Sequence, residues 1–289
     1  MKKEYKGYVF IMLTAVIFST MEISGKMLAG EIDSFQLTFL RFLIGGLMLL
    51  PFAVRDIRAK NLILKKDDYV YFVITGLLCV PLSMAFLQLA VVYTKASLAA
   101  LIFSTNAVLT VPFAYLILKE SVNKKMCISI LISIIGLLFI LNPFGMTVNL
   151  KGLMFGILSA LTFSLYTVIT KKRIGKYGGY VFNFMTFIIG DAILLLMLVL
   201  FKMPIIHGVT SSNIIVILYM GIVVTGLGYI FYLGAIKETS AVASSAVFLI
   251  KPALAPVLSL LFLGETLSPN AIVGILLILA GSYVGIKSK

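Results

Sequence analysis

The chain has 289 residues, of which 61% are hydrophobic and 12% charged, with a formal net charge of +13 and a mean hydropathy of +1.12. A soluble domain carries charge on roughly a quarter of its residues, so half that amount excludes a surface facing water throughout. The basic excess lies in short segments between apolar runs of about 20 residues, which argues against a nucleic-acid partner and against a β-barrel with its strands of about 10 residues.

Ten apolar runs read as transmembrane helices, over roughly 8–28, 35–54, 69–92, 96–118, 126–142, 150–170, 180–201, 212–236, 241–263 and 269–286. The fold class expected is therefore an all-α membrane protein. The first run continues without a small-residue cleavage site, so it reads as a span and not as a cleavable signal. It carries Glu22, about six residues or roughly 9 Å from its far end, and Lys26 one turn further on. The second run carries Arg41 at nearly the same depth. A short link makes these helices antiparallel neighbours, so a Glu22–Arg41 ion pair is expected, with Lys26 competing for the carboxylate. Such a pair suits a structural bridge as well as a substrate or proton site, because ionisable groups inside a bilayer are costly and pair or line a cavity. The charged stretch 55–68 lies on the membrane surface.

The third helix offers Ser83 and Gln88 to a cavity, and the fourth offers Asn106. The sixth offers Tyr166 and Thr167, and the eighth Tyr229 and Tyr232. Tyrosine brings a flat apolar face and a hydroxyl, although most membrane tyrosines are packing or interfacial residues. Asp191 in the seventh helix has no evident partner, and two roles stay open for it: a proton-carrying acid, or a mate for Lys251. Lys251 lies about 15 Å into the ninth helix, near the midplane. Pro252 disfavours α geometry at Lys251 and leaves the Phe248 carbonyl without its donor, and Pro256 repeats the effect. A lysine there is a natural anion anchor; the plainer alternative is a lysine held by Glu22 or by freed carbonyls. Gly281 belongs to a small-residue surface on the tenth helix that suits close packing inside the bundle or in a dimer. Glu120 and Glu265 precede helix starts marked by Asn123 and Ser268-Pro269 and read as caps.

Cys79 and Cys127 fall in different runs and His207 falls in a loop, so no metal centre, cofactor or nucleophile–base pair is expected. Eighteen basic residues lie in segments on one side of the ten spans and four on the other, with Arg41 and Lys251 inside spans. That bias places both termini in the cytoplasm and the chain in the cytoplasmic membrane.

Sliding the chain against itself by 145 residues aligns Gly7 with Gly152, Phe18 with Phe163, Lys26 with Lys171, Gly45 with Gly190, Gly76 with Gly221, Phe103 with Phe248, Glu120 with Glu265 and Gly136 with Gly281. One ungapped offset through five helix pairs divides the chain into repeats, 1–145 and 146–289. Five is odd, so the second repeat crosses the membrane in the opposite sense. Ten helices in two inverted five-helix repeats are the mark of a secondary transporter with its site where the repeats meet.

Several motifs carry a family resemblance. Helix 1 has Phe18-Ser19-Thr20 and then Lys26, helix 2 has Arg41-Phe42, and helices 4 and 9 close on Leu118-Lys119-Glu120 and Leu263-Gly264-Glu265. Lys251-Pro252-Ala253-Leu254-Ala255-Pro256 precedes the last of these. In this order the chain resembles the EamA-type ten-helix branch of the drug/metabolite transporter superfamily over nearly its whole length. It departs from the family pattern in helix 1, where many members have Trp-Gly and this chain has Phe18-Ser19. The resemblance implies proton-driven or exchange-driven movement of small metabolites, often export, and leaves the substrate open.

The reading that results is a secondary transporter of a small polar metabolite, an amino acid or an organic anion. The substrate-binding candidates are Lys251, Glu22, Arg41, Asn106, Tyr166, Thr167, Tyr229, Tyr232, Gln88 and Ser83, and the proton-coupling candidates are Glu22 and Asp191. Glu22, Arg41 and Lys251 leave one net positive charge, which suits a carboxylate or phosphate; an ionised Asp191 cancels it and suits a zwitterion. Its partners are the substrate, membrane lipid and, if coupled, protons, with monomer and homodimer both open. A carrier of lipid-linked sugar or drug-like solutes, an intramembrane enzyme and a non-transporting scaffold are the alternatives.

Overall fold

The computed structural model describes residues 3–120, 124–141, 149–264 and 268–286. Among them the chain forms helical rods in the order α1 (Lys3–Ser19, continued as Met21–Met27), α2 (Ser34–Ala59), α3 (Lys66–Tyr93), α4 (Ala96–Leu118), α5 (Lys124–Leu141), α6 (Leu150–Tyr177), α7 (Gly179–Leu200), α8 (Ile214–Glu238), α9 (Ala241–Ser245, continued as Val247–Leu263) and α10 (Pro269–Ile286). Seven of these, α1 to α4 and α6 to α8, are long and apolar enough to cross a membrane; α5, α9 and α10 carry the shorter apolar stretches Cys127–Gly136, Ala241–Lys251 and Ile272–Gly281. No strand forms among the described residues. The chain is a multi-pass helical membrane protein, as expected where lipid leaves the backbone no outside partner.

Local chemistry sets the helix starts. Asp33 Oδ1 accepts from the backbone N–H of Phe35 (2.8 Å) and Gln36 (3.2 Å) to open α2, and Asn149 Oδ1 accepts from Lys151 at 3.0 Å to open α6. Ser240 Oγ accepts from Ala243 at 3.0 Å to open α9. Glu120 is a cap, and the described helix it reaches is a distant one. Its Oε1 accepts from the Ala241 N–H at 3.4 Å, so it serves α9, in the other half of the chain. Sequence proximity had suggested the nearest helix; the bundle brings a different N-terminus alongside. Glu265 and Asn123 lie outside the described residues.

The prolines of α9 do not break it where expected. Val247–Leu263 runs through Pro252 and Pro256, and the interruption falls at Ala246. Neighbouring helices in a bundle can satisfy the carbonyls that proline frees. Both α3 and α8 contain a π-helical segment, Leu78–Met84 and Met220–Leu227. Such segments often mark functional regions inside helices, and these two overlap under the 145-residue offset.

That offset also relates contacts. Lys26 Nζ donates to the carbonyls of Val91 (3.0 Å) and Thr94 (2.7 Å), at the end of α3. Lys171 Nζ donates to those of Ile236 (2.7 Å) and Thr239 (2.6 Å), the positions 145 later, at the end of α8. Both lysines cap helix C-termini, so Lys26 does not compete for Glu22. Gly7 packs on Thr239 and Gly152 on Thr94; Gly45 meets Gly221 and Gly76 meets Gly190. Each half thus supplies the mate of a contact made by the other. The repeat mates Phe42 and Phe187 meet edge-on at 4.8 Å, and Phe103 and Phe248 at 5.4 Å. The core lies where the halves touch. α5 and α10 pack against each other beside it, with Ser129 Oγ bonded to the Gly281 carbonyl at 2.6 Å, so Gly281 serves packing within the chain.

A methyl group at Gly76 would stand 2.8 Å from the Gly190 nitrogen and 3.0 Å from the Thr186 oxygen, both backbone atoms that cannot swing away. Gly76→Ala is therefore expected to destabilise the protein by about 1–3 kcal/mol, read as a lower unfolding midpoint in detergent. Gly175→Ala in α6, with nothing within 4 Å, is expected to leave the midpoint unchanged or raise it.

Candidate functional site

Of the pairings open for the buried residues Glu22, Arg41, Asp191 and Lys251, the structure takes one. Glu22 binds Lys251 and not Arg41: Lys251 Nζ lies 2.5 Å from Glu22 Oε1, and both side chains are wholly buried. α1 is interrupted at Thr20, just before Glu22. The lysine also lies over the rings of Phe103 (5.2 Å) and Phe248 (5.9 Å), which exclude water and strengthen the Coulombic attraction. Glu22 Oε2 makes no hydrogen bond.

Arg41 is left without its expected carboxylate. It is 2% exposed. Its Nη1 donates to Met21 Sδ at 3.1 Å, its guanidinium lies 4.9 Å from the adjacent Phe42 ring, and Nε has no partner. A guanidinium has five donors, and a thioether is a weak acceptor. Asp191 is equally buried, and neither carboxylate oxygen has a hydrogen bond. It does not pair with Lys251. The two residues are near enough for their charges to interact, yet they form no ion pair.

Tyr229 and Cys79 share this centre. Cys79 Sγ donates to the Tyr229 hydroxyl at 3.6 Å, and both residues lie near Arg41. The Tyr166 hydroxyl is buried without a partner. Tyr232 is joined to Thr167 by a 2.7 Å hydroxyl contact. Rings of Phe18, Phe42, Phe163 and Phe187 surround Tyr229 and Tyr232 of α8.

Two other candidates hold helices together, and a third bonds within its own helix. Ser83 and Ser159 each donate to the other's carbonyl, at 3.1 and 2.8 Å, which joins α3 to α6. Gln88 Nε2 donates to the Gly25 carbonyl at 3.1 Å, which joins α3 to α1. Asn106 Nδ2 donates to the Phe103 carbonyl at 2.9 Å beside the break of α4 at Thr105, while its Oδ1 stays unpartnered.

Sequence reasoning passed over Cys79, Thr225 and Asn183. Thr225 Oγ1 and both amide atoms of Asn183 are buried without partners. A threonine, an asparagine or a cysteine in an apolar run carries no signal of its own; only the packing of the helices shows that these are buried and that Cys79 lies near Arg41. A separate cavity of about 250 Å³, bounded by Leu101, Thr105, Leu249 and Ile278 among others, is apolar and touches none of the four charged residues.

Comparison with known proteins places this arrangement in context. The model of the EamA-like transporter family matches the chain twice, over residues 5–142 and 150–286. An uncharacterized transporter of Clostridium kluyveri is 53% identical over 292 residues, covering 98% of this chain and 94% of the relative. The S-adenosylmethionine uptake transporter of Rickettsia prowazekii is 26% identical over 176 residues, covering 61% of this chain and 58% of the relative. One crystal structure superposes with a TM-score of 0.75 at 19% identity, over 98% of this chain and 97% of the other, which is a likeness of fold.

Removing one member of a buried ion pair strands the other. Lys251→Ala and Glu22→Gln are each expected to cost about 3–5 kcal/mol of stability, seen as a lower unfolding midpoint and reduced yield. The double variant Lys251→Met with Glu22→Gln is expected to recover most of that loss; a double variant as unstable as the sum of the two would show that the pair is not the source.

Proposed function

The chain belongs to the EamA-like transporter family, and from that premise we propose that it is a secondary transporter of a small zwitterion, an amino acid by class. The observation that carries this reading is Arg41 and Asp191: opposite charges, both buried, within range of each other's charge, and joined by no ion pair among the described residues. A buried polar group without a partner is costly. A solute bearing a carboxylate and an ammonium a few ångströms apart satisfies both, with its carboxylate on Arg41 and its ammonium on Asp191. Because Lys251 and Glu22 neutralise each other, a simple anion would leave Asp191 unserved. The Rickettsia relative is named for S-adenosylmethionine, a solute with such an amino and carboxylate pair. Tyr229, Tyr166 and Cys79 line the same centre in this reading, and Tyr232 with Thr167 closes it.

Alternating access is the mechanism proposed, by two five-helix repeats, 1–145 and 146–289, of opposite topology. Its support is the set of equivalent contacts. Lys26 ties the end of α1 to the end of α3, and Lys171 ties the end of α6 to the end of α8; Gly7–Thr239 and Gly152–Thr94 lie at opposite ends of the bundle. Two like halves that face opposite ways can exchange conformations and open the centre to each side in turn. The excess of basic residues in one set of loops supports cytoplasmic termini and a cytoplasmic-membrane location. Glu22 is the proposed coupling acid: a proton on it breaks its charge pairing with Lys251, whereas Asp191 holds the substrate. Export and exchange both fit this scheme.

Counterflow in proteoliposomes tests the substrate class. Labelled amino acids are expected to exchange saturably, and dicarboxylates to exchange poorly. Arg41→Gln and Asp191→Asn are each expected to lower kcat/KM by about 100-fold or more, the effect of about 3 kcal/mol. Unchanged kinetics in either variant would remove that residue from the site. Glu22→Gln is expected to keep exchange and to lose accumulation driven by a pH gradient; retained accumulation would end the coupling role.

A further inference from the structure

Asp68 stands at the start of α3, 2% exposed, and accepts more donors than any other carboxylate described. Lys176 Nζ reaches Oδ1 and Oδ2 at 2.7 and 2.8 Å, the Tyr177 hydroxyl reaches Oδ1 at 2.6 Å, and Arg173 Nη1 reaches Oδ1 at 3.3 Å. These partners form the end of α6, so the cluster bolts the first half of the chain to the second. The Lys65 N–H adds a local bond to Oδ2 at 2.9 Å.

The 145-residue offset carries Asp68 to Asn213, and carries Glu31 to Lys176. Asn213 Nδ2 donates to Glu31 Oε2 at 3.0 Å. The same two positions thus meet twice, with the halves exchanged. The contacts lie at opposite ends of the bundle. Lys26 ties the end of α1 to the end of α3, so Glu31, just past α1, is at the end where α3 finishes and Asp68 at the end where it begins. One contact is a carboxylate with three side-chain donors, two of them cationic. The other is a single amide-to-carboxylate bond, with Asn213 also bonded to the Gly208 carbonyl at 2.8 Å and the Thr210 N–H at 2.9 Å.

We propose that these are paired gates: Asp68 with Arg173, Lys176 and Tyr177 closes the face that carries the chain termini, and Glu31 with Asn213 closes the opposite face. The proposal rests on the alternating-access reading. Opening either face must part the two halves there, and so must break the contact at that face and spare the other. Both contacts end on a carboxylate, but Asp68 meets two cations and a hydroxyl where Glu31 meets one neutral amide, and opposite charges add Coulombic attraction to their hydrogen bonds. The inequality therefore biases the resting protein toward closure at the terminus-bearing face. It also lets one scaffold hold unequal populations of its two open forms without any change in the transmembrane helices.

Native Cys79, wholly buried beside Tyr229, serves as the reporter in a Cys127→Ser background. Its labelling by a membrane-impermeant thiol reagent is followed in right-side-out and inside-out membrane vesicles. Lys176→Gln is expected to speed labelling by about tenfold, the effect of roughly 1.4 kcal/mol, in one vesicle type alone. Glu31→Ala is expected to speed it in the other type alone. Tyr177→Phe removes a neutral donor from the first gate and is expected to act in the same direction as Lys176→Gln, which guards against a variant that fails to fold. Unchanged rates, or both gates acting in the same vesicle type, would overturn the proposal. Opposite shifts in a protein that carries no solute in counterflow would support the gates and overturn the transport reading instead.

Discussion

Lys251 and Glu22 form a bond that the bilayer does not allow to be casual. Both side chains are fully buried, and neither has water to fall back on. Their attraction is strengthened by the Phe103 and Phe248 rings around the ammonium. The cost of desolvating two ions is offset only while they stay together. Because Glu22 is on α1 and Lys251 on α9, the pair fixes where the two halves of the chain meet. It also decides the state of everything nearby. With Glu22 committed, Arg41 has only a thioether to donate to, and Asp191 has nothing.

Around that pair the helices are held by devices suited to a solvent without water. Small residues let backbones touch, as at Gly76 against Gly190 and Gly45 against Gly221. Hydroxyls and amides donate across to neighbouring carbonyls, as Ser83 and Ser159 do reciprocally and Gln88 does to Gly25. Two lysines close helix ends, Lys26 on α3 and Lys171 on α8. The glycine contacts and the lysine caps recur at the 145-residue offset, which is how a duplicated frame would use one solution twice.

The frame is regular and its charges are not. Thr167 occupies in the second half the place Glu22 has in the first, and it is satisfied by Tyr232. Thr186 stands where Arg41 would be and contacts Thr75 at 3.3 Å. Asn106, the mate of Lys251, donates to the carbonyl three residues back. Each of these uncharged mates has a hydrogen-bond partner, whereas among the described residues both carboxylate oxygens of Asp191 lack one.

Much of this was legible before any coordinates. The all-helical membrane class, the 145-residue offset and the four charged residues in apolar segments follow from apolar periodicity and from the rarity of charge in lipid, and both are properties of residue type and spacing along one chain. The partners were legible only in part: Lys251 held by Glu22 was one of the readings left open. Depth along neighbouring helices pointed Glu22 at Arg41, because sequence measures height in the membrane but not rotation about a helix axis or which distant helix lies alongside. The same gap assigned Glu120 to its own neighbour instead of to α9, left Lys26 beside Glu22, and hid Cys79 and Thr225. Hydropathy tells which segments are apolar enough to cross a bilayer; only the packing of α1 against α9, and of α2 against α7, decides which buried charges find a partner.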